Sequence, residues 1–76
     1  MKMKIHDQKN KVYQWFTTHK GTMLECAKAT LIERANICRY IHSLQEENKV
    51  TGIGVRRDFY TGERAVVYTA TEGGVL

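Results

Sequence analysis

The sequence has no proline, only two cysteines among its 76 residues, and no long apolar run. Two cysteines are too few for a disulfide scaffold, so we expect Cys26 and Cys38 to be buried, reduced thiols. The apolar runs span only a few residues, and none is long enough to cross a membrane. Residues 1–7 carry positive charge with no apolar segment after them, which argues against a secretory signal. We therefore expect a cytoplasmic protein.

The residue combinations that enzymes and metal centres need are also missing. No Ser/His/Asp or Cys/His arrangement stands in a useful context, and the short stretch from Gly52 to Gly54 starts no helix that would hold a phosphate. Cys38 and His42 are four residues apart on one predicted helix, but two ligands do not make a structural zinc site. We expect no enzymatic activity, no metal and no small-molecule cofactor.

What is present suffices for one small domain with a basic bias. A chain of 76 residues buries roughly 60% of the surface that it exposes when unfolded, which allows one modest core. The formal net charge is +4. Residues 1–28 contain six lysines and two acids, whereas residues 29–48 contain two arginines and three glutamates. The basic excess fits a polyanionic partner, although charge alone does not identify one.

Capping residues and apolar periodicity predict two helices in the first half of the chain. The first covers about residues 7–19, with Asp7 as its N-cap and Gly21 supplying a left-handed C-terminal conformation. The second covers about residues 22–29 and opens with a capping box, the pattern T-x-x-E at residues 22–25.

A third helix is predicted over about residues 31–47, after a tight turn. The capping signature repeats here, with Thr30 as the expected cap. The residues Ile37, Ile41 and Leu44 recur at three- and four-residue steps and are the predicted buried face. Asn48 is expected to close the helix because asparagine tolerates the left-handed conformation.

The helical spacing of the apolar residues ends at Lys49, and the pattern of the remaining chain predicts an antiparallel hairpin. Residues 50–57 and 64–71 are rich in β-formers, and the turn signal Thr61-Gly62 lies between them. The glycines at 52 and 54 suggest a bend or bulge in the first strand. An isolated hairpin is unstable, so its apolar face must pack on the helices. We expect four aromatic residues in this packing or in the core, with stacking platforms for single strands as the less favoured alternative: Trp15, Phe16, Phe59 and Tyr68.

The predicted fold is therefore α+β: one domain over residues 1–76, with three helices, a C-terminal hairpin and a flexible tail at residues 72–76. Residues 27–50 resemble the helix-turn-helix core of winged helix-turn-helix DNA-binding proteins, and the chain after them, to about residue 71, resembles the family's wing. The positions that carry the resemblance are Ala27, Ile32, Arg34, Ile37, Arg39, Ile41, Leu44, Asn48 and Val50. Leu31 departs from the pattern, because the family commonly has glycine there, and so does Glu33, which replaces a small polar residue.

The resemblance implies binding of double-stranded DNA, with the third helix in the major groove and the hairpin at the adjacent minor groove. Arginine and asparagine can bridge guanine and adenine edges, and the N-terminus of the second helix suits a phosphate. The expected DNA-binding residues are Arg34, Asn36, Arg39, Tyr40 and Ser43 of the third helix, Thr22 and Lys28 of the second, and Arg56, Arg57 and Arg64 of the hairpin.

The function implied by this resemblance is that of a small, sequence-specific transcriptional regulator of microbial or mobile-element type. We expect it to bind as a homodimer, because one winged helix with few contacts binds weakly. Winged helices also serve as protein-interaction modules in replication or transcription assemblies, which is the alternative function. Binding of duplex or structured RNA is a third.

Overall fold

The computed structural model describes residues 5–71 as three helices followed by a two-stranded antiparallel sheet. The elements are α1 (Ile5–Thr18), α2 (Met23–Thr30), α3 (Arg34–Glu46), β1 (Val50–Arg57) and β2 (Arg64–Ala70). The predicted α+β class and the order of its elements are confirmed. None of the helices described is long and apolar enough to span a membrane. The predicted flexible tail lies outside the described residues.

The core lies between the three helices and the inner side of the hairpin. The predicted stripe of α3 is confirmed, since Ile37, Ile41 and Leu44 are all buried. Apolar side chains on the other elements complete this core: Val12 and Phe16 from α1, Cys26 and Ala27 from α2, and Val50 and Tyr68 from the hairpin. The hairpin is therefore stabilised by packing on the helices, as an isolated pair of strands would require.

The bounds of α1 agree with the prediction within two residues, but both predicted caps are wrong. Asp7 lies within the first turn of α1 and therefore does not cap the helix. Its negative charge there interacts favourably with the helix dipole. Gly21 is not left-handed. It pairs with β2 instead: its N–H donates to the Tyr68 carbonyl at 3.1 Å, and the Tyr68 N–H donates back at 2.7 Å. A Cβ at Gly21 would lie 2.8 Å from the Trp15 ring, so this close approach requires glycine.

The junction of α2 and α3 differs from the prediction at one cap. The capping box of α2 is confirmed in both of its hydrogen bonds. Thr30 does not cap α3, however, because it is the last residue of α2 and its hydroxyl donates to the Cys26 carbonyl at 2.7 Å. Leu31 then reverses the chain in the left-handed conformation, with φ 62°. Consequently α3 begins only at Arg34 and has Glu33 as its N-cap.

The hairpin agrees closely with the predicted strands. A register shift between Gly52 and Gly54 confirms the bulge in β1. Asn48 has φ 60° after α3, which confirms its predicted left-handed conformation, and Gly62 lies in the predicted turn with φ 74°. The two cysteines differ in exposure. Cys26 is buried as expected, but Cys38 is exposed because it lies on the outward side of α3.

Candidate nucleic-acid interface

The outward face of α3 carries two of the predicted DNA-binding arginines. Arg34 is the first residue of the helix, and Arg39 lies further along it; both are exposed. Arg39 donates from Nη2 to the side-chain oxygen of Asn36 at 2.5 Å, so the guanidinium and the amide form one polar unit. Asn36 is half-buried. This pair lies within the first two turns of α3, on the side away from the buried stripe.

On the flank of α3 that faces α1, the predicted side chains form hydrogen bonds with residues of α1. Tyr40 was expected on the exposed side, which is wrong: it is only 5% exposed, and its hydroxyl donates to Gln8 at 2.7 Å. Tyr40 follows Ile37 by three residues and precedes Leu44 by four, so helical periodicity itself indicates the buried side. Ser43 is half-buried and accepts a hydrogen bond from the Lys9 ammonium at 2.8 Å. Neither side chain is available as an outward-facing contact.

Two arginines of the hairpin are exposed at the end of the strands next to the turn. Arg57 and Arg64 are direct partners across the two strands. Arg57 donates from Nη1 to the Gly62 carbonyl at 2.9 Å, which directs its guanidinium along the turn. Among residues 5–71, neither arginine has a carboxylate within ion-pair distance.

The third arginine of the hairpin, Arg56, is held by α2. Its two terminal nitrogens donate to the two oxygens of Glu25 at 2.8 Å and 2.7 Å, a bidentate ion pair. These hydrogen bonds are the main reason why the pKa of Glu25 falls to about 2, and Glu25 in turn raises the pKa of Arg56. Arg56 was expected to contact DNA, but its charge is already neutralised within the fold.

Thr22 is likewise engaged within the fold. It is only 1% exposed, its hydroxyl donates to buried Asp58, and the same oxygen accepts the Glu25 N–H as the helix cap. Asp58 also accepts the N–H groups of Tyr60 and Thr61, at 2.8 Å and 3.0 Å, which closes the turn. The hydrogen bond from Thr22 is the main reason why the pKa of Asp58 is lowered, and the two backbone hydrogen bonds lower it further. The hairpin turn is therefore anchored to the N-terminus of α2.

This anchoring creates a groove between α3 and the hairpin, with a volume of about 380 Å³. Arg34 lines it from α3, Arg64 and Val66 from β2, and Met23 and Leu24 from α2. The structure thus brings together Arg34 and Arg64, two predicted site residues that are thirty positions apart in the sequence. The groove is lined by apolar side chains and by the two exposed guanidinium groups, and the exposed carboxylate of Glu63 lines it as well.

The remaining predicted residue, Lys28, lies beside the turn rather than in this groove. Its ammonium is 5.6 Å from the centre of the Tyr60 ring, a cation–π distance. Phe59, next to Tyr60, was expected to pack in the core or wing, and this is wrong because 80% of it is exposed. Within residues 5–71 no three potential ligands are grouped as a metal site, and His42 lies 3.7 Å from Glu46 instead.

Sequence reasoning missed the role of Glu25 in positioning the hairpin. The capping box correctly assigned its first partner, the Thr22 N–H at 3.1 Å. Its other partners, Arg56 and the Phe59 N–H, lie more than thirty residues away, and no local pattern indicates them. A comparison of this chain with protein-family models, with curated proteins and with solved structures found no match.

Proposed function

We propose that the protein binds double-stranded DNA as a winged helix, with α3 in the major groove and the hairpin as the wing. The observation that carries this proposal is the shared groove of Arg34 and Arg64. It means that α3 and the hairpin present guanidinium groups on one side of the molecule. A major groove admits one α-helix, and a basic loop beside that helix can reach the adjoining phosphates.

On α3 the side chains suited to base contact are Arg34, Asn36 and Arg39. They lie in the N-terminal half of the helix, the part that reads base edges when a recognition helix enters the groove. The hydrogen bond between Asn36 and Arg39 orients both groups before binding. At the other end of α3, the exposed carboxylate of Glu46 would repel phosphates, which favours docking by the N-terminal half.

On the hairpin the proposed phosphate contacts are Arg57 and Arg64. The hydrogen bonds of Glu25 and Asp58 hold this hairpin at a set position next to α2. A wing that is ordered before binding loses less conformational entropy in the complex, so the same contacts give a higher affinity. Four predicted residues are left out of the proposed interface. Thr22 and Tyr40 are buried, Ser43 is half-buried against Lys9, and the charge of Arg56 is neutralised by the Glu25 carboxylate.

We further propose that the protein acts as a sequence-specific regulator and that it binds as a homodimer. The apolar residues Val12 and Phe16 of α1 are buried in the protomer's own core, so they are not exposed for contact with a second protomer. Sedimentation of the protein with and without a duplex site would determine the stoichiometry. A complex of one protomer per site at saturation would contradict the homodimer.

The test of DNA binding begins with selection of bound sites from a random duplex pool, followed by anisotropy titrations of the enriched site. We expect log K to fall with log salt at a slope of about −3 to −6 per protomer. Arg34→Ala and Arg39→Ala should each cost about 1–3 kcal/mol and relax specificity at one position. Arg57→Ala and Arg64→Ala should weaken binding to all sequences alike and reduce the slope by about 1 each.

Lys11→Ala is the matched control, because Lys11 is an exposed cation on α1, away from the groove. It should change the affinity by less than about twofold, the effect of a single remote charge. Flat enrichment from the pool, an equal loss of affinity in Lys11→Ala, or equal competition by duplex RNA would each contradict specific recognition of DNA.

A further inference from the structure

A second groove, of about 410 Å³, lies where the end of α1, the outer face of α2 and the hairpin turn meet. Its walls include Trp15, His19 and Lys20 from the α1 side and Phe59 and Tyr60 from the turn. Among the described residues, none lines both this groove and the one that contains Arg34 and Arg64. We call it the aromatic groove. The proposed DNA interface makes no use of it.

The walls of the aromatic groove are two pairs of rings. Trp15 and His19 stack with centroids 4.7 Å apart and ring planes at 6°, and Phe59 meets Tyr60 edge to face at 5.1 Å. Phe59 is 80% exposed and Tyr60 52%. Single exposed apolar side chains are ordinary, but adjoining exposed aromatic rings are typical of protein interfaces.

The exposed aromatic residues stand on a fixed backbone. The Phe59 N–H donates to Glu25 at 3.0 Å, and the Tyr60 N–H donates to Asp58 at 2.8 Å. The Glu25 carboxylate is itself held by Arg56 of β1, and the Asp58 carboxylate by Thr22, the N-cap of α2, so the backbone of the turn is fixed. An aromatic anchor that is already positioned loses little entropy when a partner binds, which is the usual character of an interface hot spot.

The charge of the aromatic groove is positive. Lys20 lines it, and the Lys28 ammonium lies 5.6 Å from the centre of the Tyr60 ring. The carboxylate that lines the groove, Glu25, is neutralised by Arg56 at 2.7 Å. A ligand that approaches the rings therefore meets two lysines and no free carboxylate among the groove-lining residues described. This arrangement is complementary to a ligand that is both acidic and apolar.

We propose that the aromatic groove binds an acidic segment of a partner protein, which inserts an apolar side chain against Phe59 and places carboxylates at Lys20 and Lys28. A DNA duplex keeps its bases stacked inside, so its phosphates would satisfy the lysines but would leave the Phe59 ring, which has no polar atom, without a counterpart. An acidic peptide with aromatic or aliphatic residues supplies both kinds of contact. This proposal does not depend on DNA binding, since the two sets of residues are separate.

Trp15, the sole tryptophan, lines the groove and provides an intrinsic fluorescence signal for the test. The probe is a synthetic peptide of glutamate and aspartate with interspersed phenylalanine and leucine. A second peptide has serine in place of the apolar residues and the same charge. We expect the first to change the Trp15 emission saturably below about 1 mM and the second to bind at least about tenfold more weakly.

The variants Phe59→Ser and Lys28→Glu should each weaken the first peptide by about tenfold, as truncation or reversal of an anchor does. Leu31→Ser and Lys11→Glu are the matched controls, because Leu31 and Lys11 are exposed residues outside the groove. They should stay within about twofold of the wild type. Circular dichroism melting checks that all four variants fold. Phe59→Ser should also leave duplex DNA affinity unchanged, which separates failure here from failure of the DNA proposal.

Three results would overturn the proposal. The first is no saturable emission change with the apolar acidic peptide, or equal binding of the serine peptide. The second is tighter binding of oligo(dT) than of the peptide, lost in Phe59→Ser, which would assign the groove to single-stranded nucleic acid. The third is self-association of the free protein in sedimentation that Phe59→Ser abolishes, which would make a second copy the occupant.

Discussion

Leu31 is the residue at which the local backbone is least suited to its side chain. It occupies the left-handed region with φ 62° at the end of α2, and its side chain is 90% exposed. A residue with a Cβ pays about 1 kcal/mol in this conformation, and Leu31 recovers little of that cost through burial. The tight turn between α2 and α3 is thus achieved with strain that a glycine would relieve.

Replacing Leu31 by glycine should therefore stabilise the protein by about 0.5–1 kcal/mol, because glycine removes the left-handed penalty and no packing is lost. Urea denaturation at neutral pH measures the difference as a shift of the midpoint at constant slope. Leu31→Ala is the control, since it keeps a Cβ and should leave the midpoint nearly unchanged. A lower midpoint for the glycine variant would show that the leucine side chain stabilises the turn.

At the scale of elements, the contact that matters most is the one between the N-terminus of α2 and the hairpin turn. Two carboxylates make it: Glu25 accepts hydrogen bonds from Arg56, and Asp58 accepts one from Thr22. Each carboxylate also accepts backbone N–H groups of the turn. The hairpin position, and with it the walls of both grooves, depends on these ionised groups.

Glu25→Gln should destabilise the protein by about 1–2 kcal/mol at pH 7, because an amide cannot accept both Arg56 nitrogens. The pKa of Glu25 in the fold, about 2, lies below its ordinary value of 4.5. Its stabilising effect is therefore complete above about pH 5 and is lost as the pH falls towards 2. Urea midpoints of both proteins between pH 7 and pH 2 should converge at the acidic end.

Glu63→Gln is the control for this titration, because Glu63 is an exposed carboxylate on the same hairpin. It should follow the wild type over the whole pH range. Parallel curves for Glu25→Gln and wild type, with no convergence below pH 4, would show that the ion pair with Arg56 contributes nothing to the free energy of unfolding.

At the scale of the whole molecule, the two cysteines report on the integrity of the fold. Cys26 is completely buried, and desolvation raises the pKa of its thiol to about 12. Cys38 lies exposed on α3. Because the thiolate is the reactive form and must be reached by the reagent, the two thiols should differ strongly in reactivity.

An aromatic disulfide reagent at pH 8 should therefore modify Cys38 rapidly in the native protein and Cys26 only when the core opens. Cys38→Ser should abolish the rapid phase, whereas Cys26→Ser should retain it. The slow phase should accelerate with urea in step with unfolding, since access to Cys26 requires the core to open. Two rapid equivalents in the native wild type would contradict the burial of Cys26.

The hairpin turn lies between the two candidate binding surfaces and contributes residues to both. Arg64 lies at one end of the turn and contributes to the groove shared with Arg34, whereas Phe59 and Tyr60 contribute to the aromatic groove. Both surfaces depend on the same anchor, Asp58 with Thr22. DNA binding by one and protein binding by the other are compatible, because no residue is used twice.

Much of the fold follows from the sequence by itself, because the features concerned involve neighbours in the chain. The capping box at Thr22, the buried stripe from Ile37 to Leu44, the left-handed Asn48 and the bulge at the glycines of β1 each depend on a few adjacent residues. Local sterics and hydrogen bonding decide such features, so the residue types predict them directly.

Only the tertiary structure decided which predicted site residues are free to bind. Arg56 meets Glu25 across 31 positions and Thr22 meets Asp58 across 36, so both side chains have partners within the fold although each resembles a binding residue locally. Gly21 lies close to the Trp15 ring and does not supply the left-handed end of α1 that was predicted for it. Packing brings such residues together at short range, and a polar side chain that finds a partner inside the fold is thereby removed from its surface.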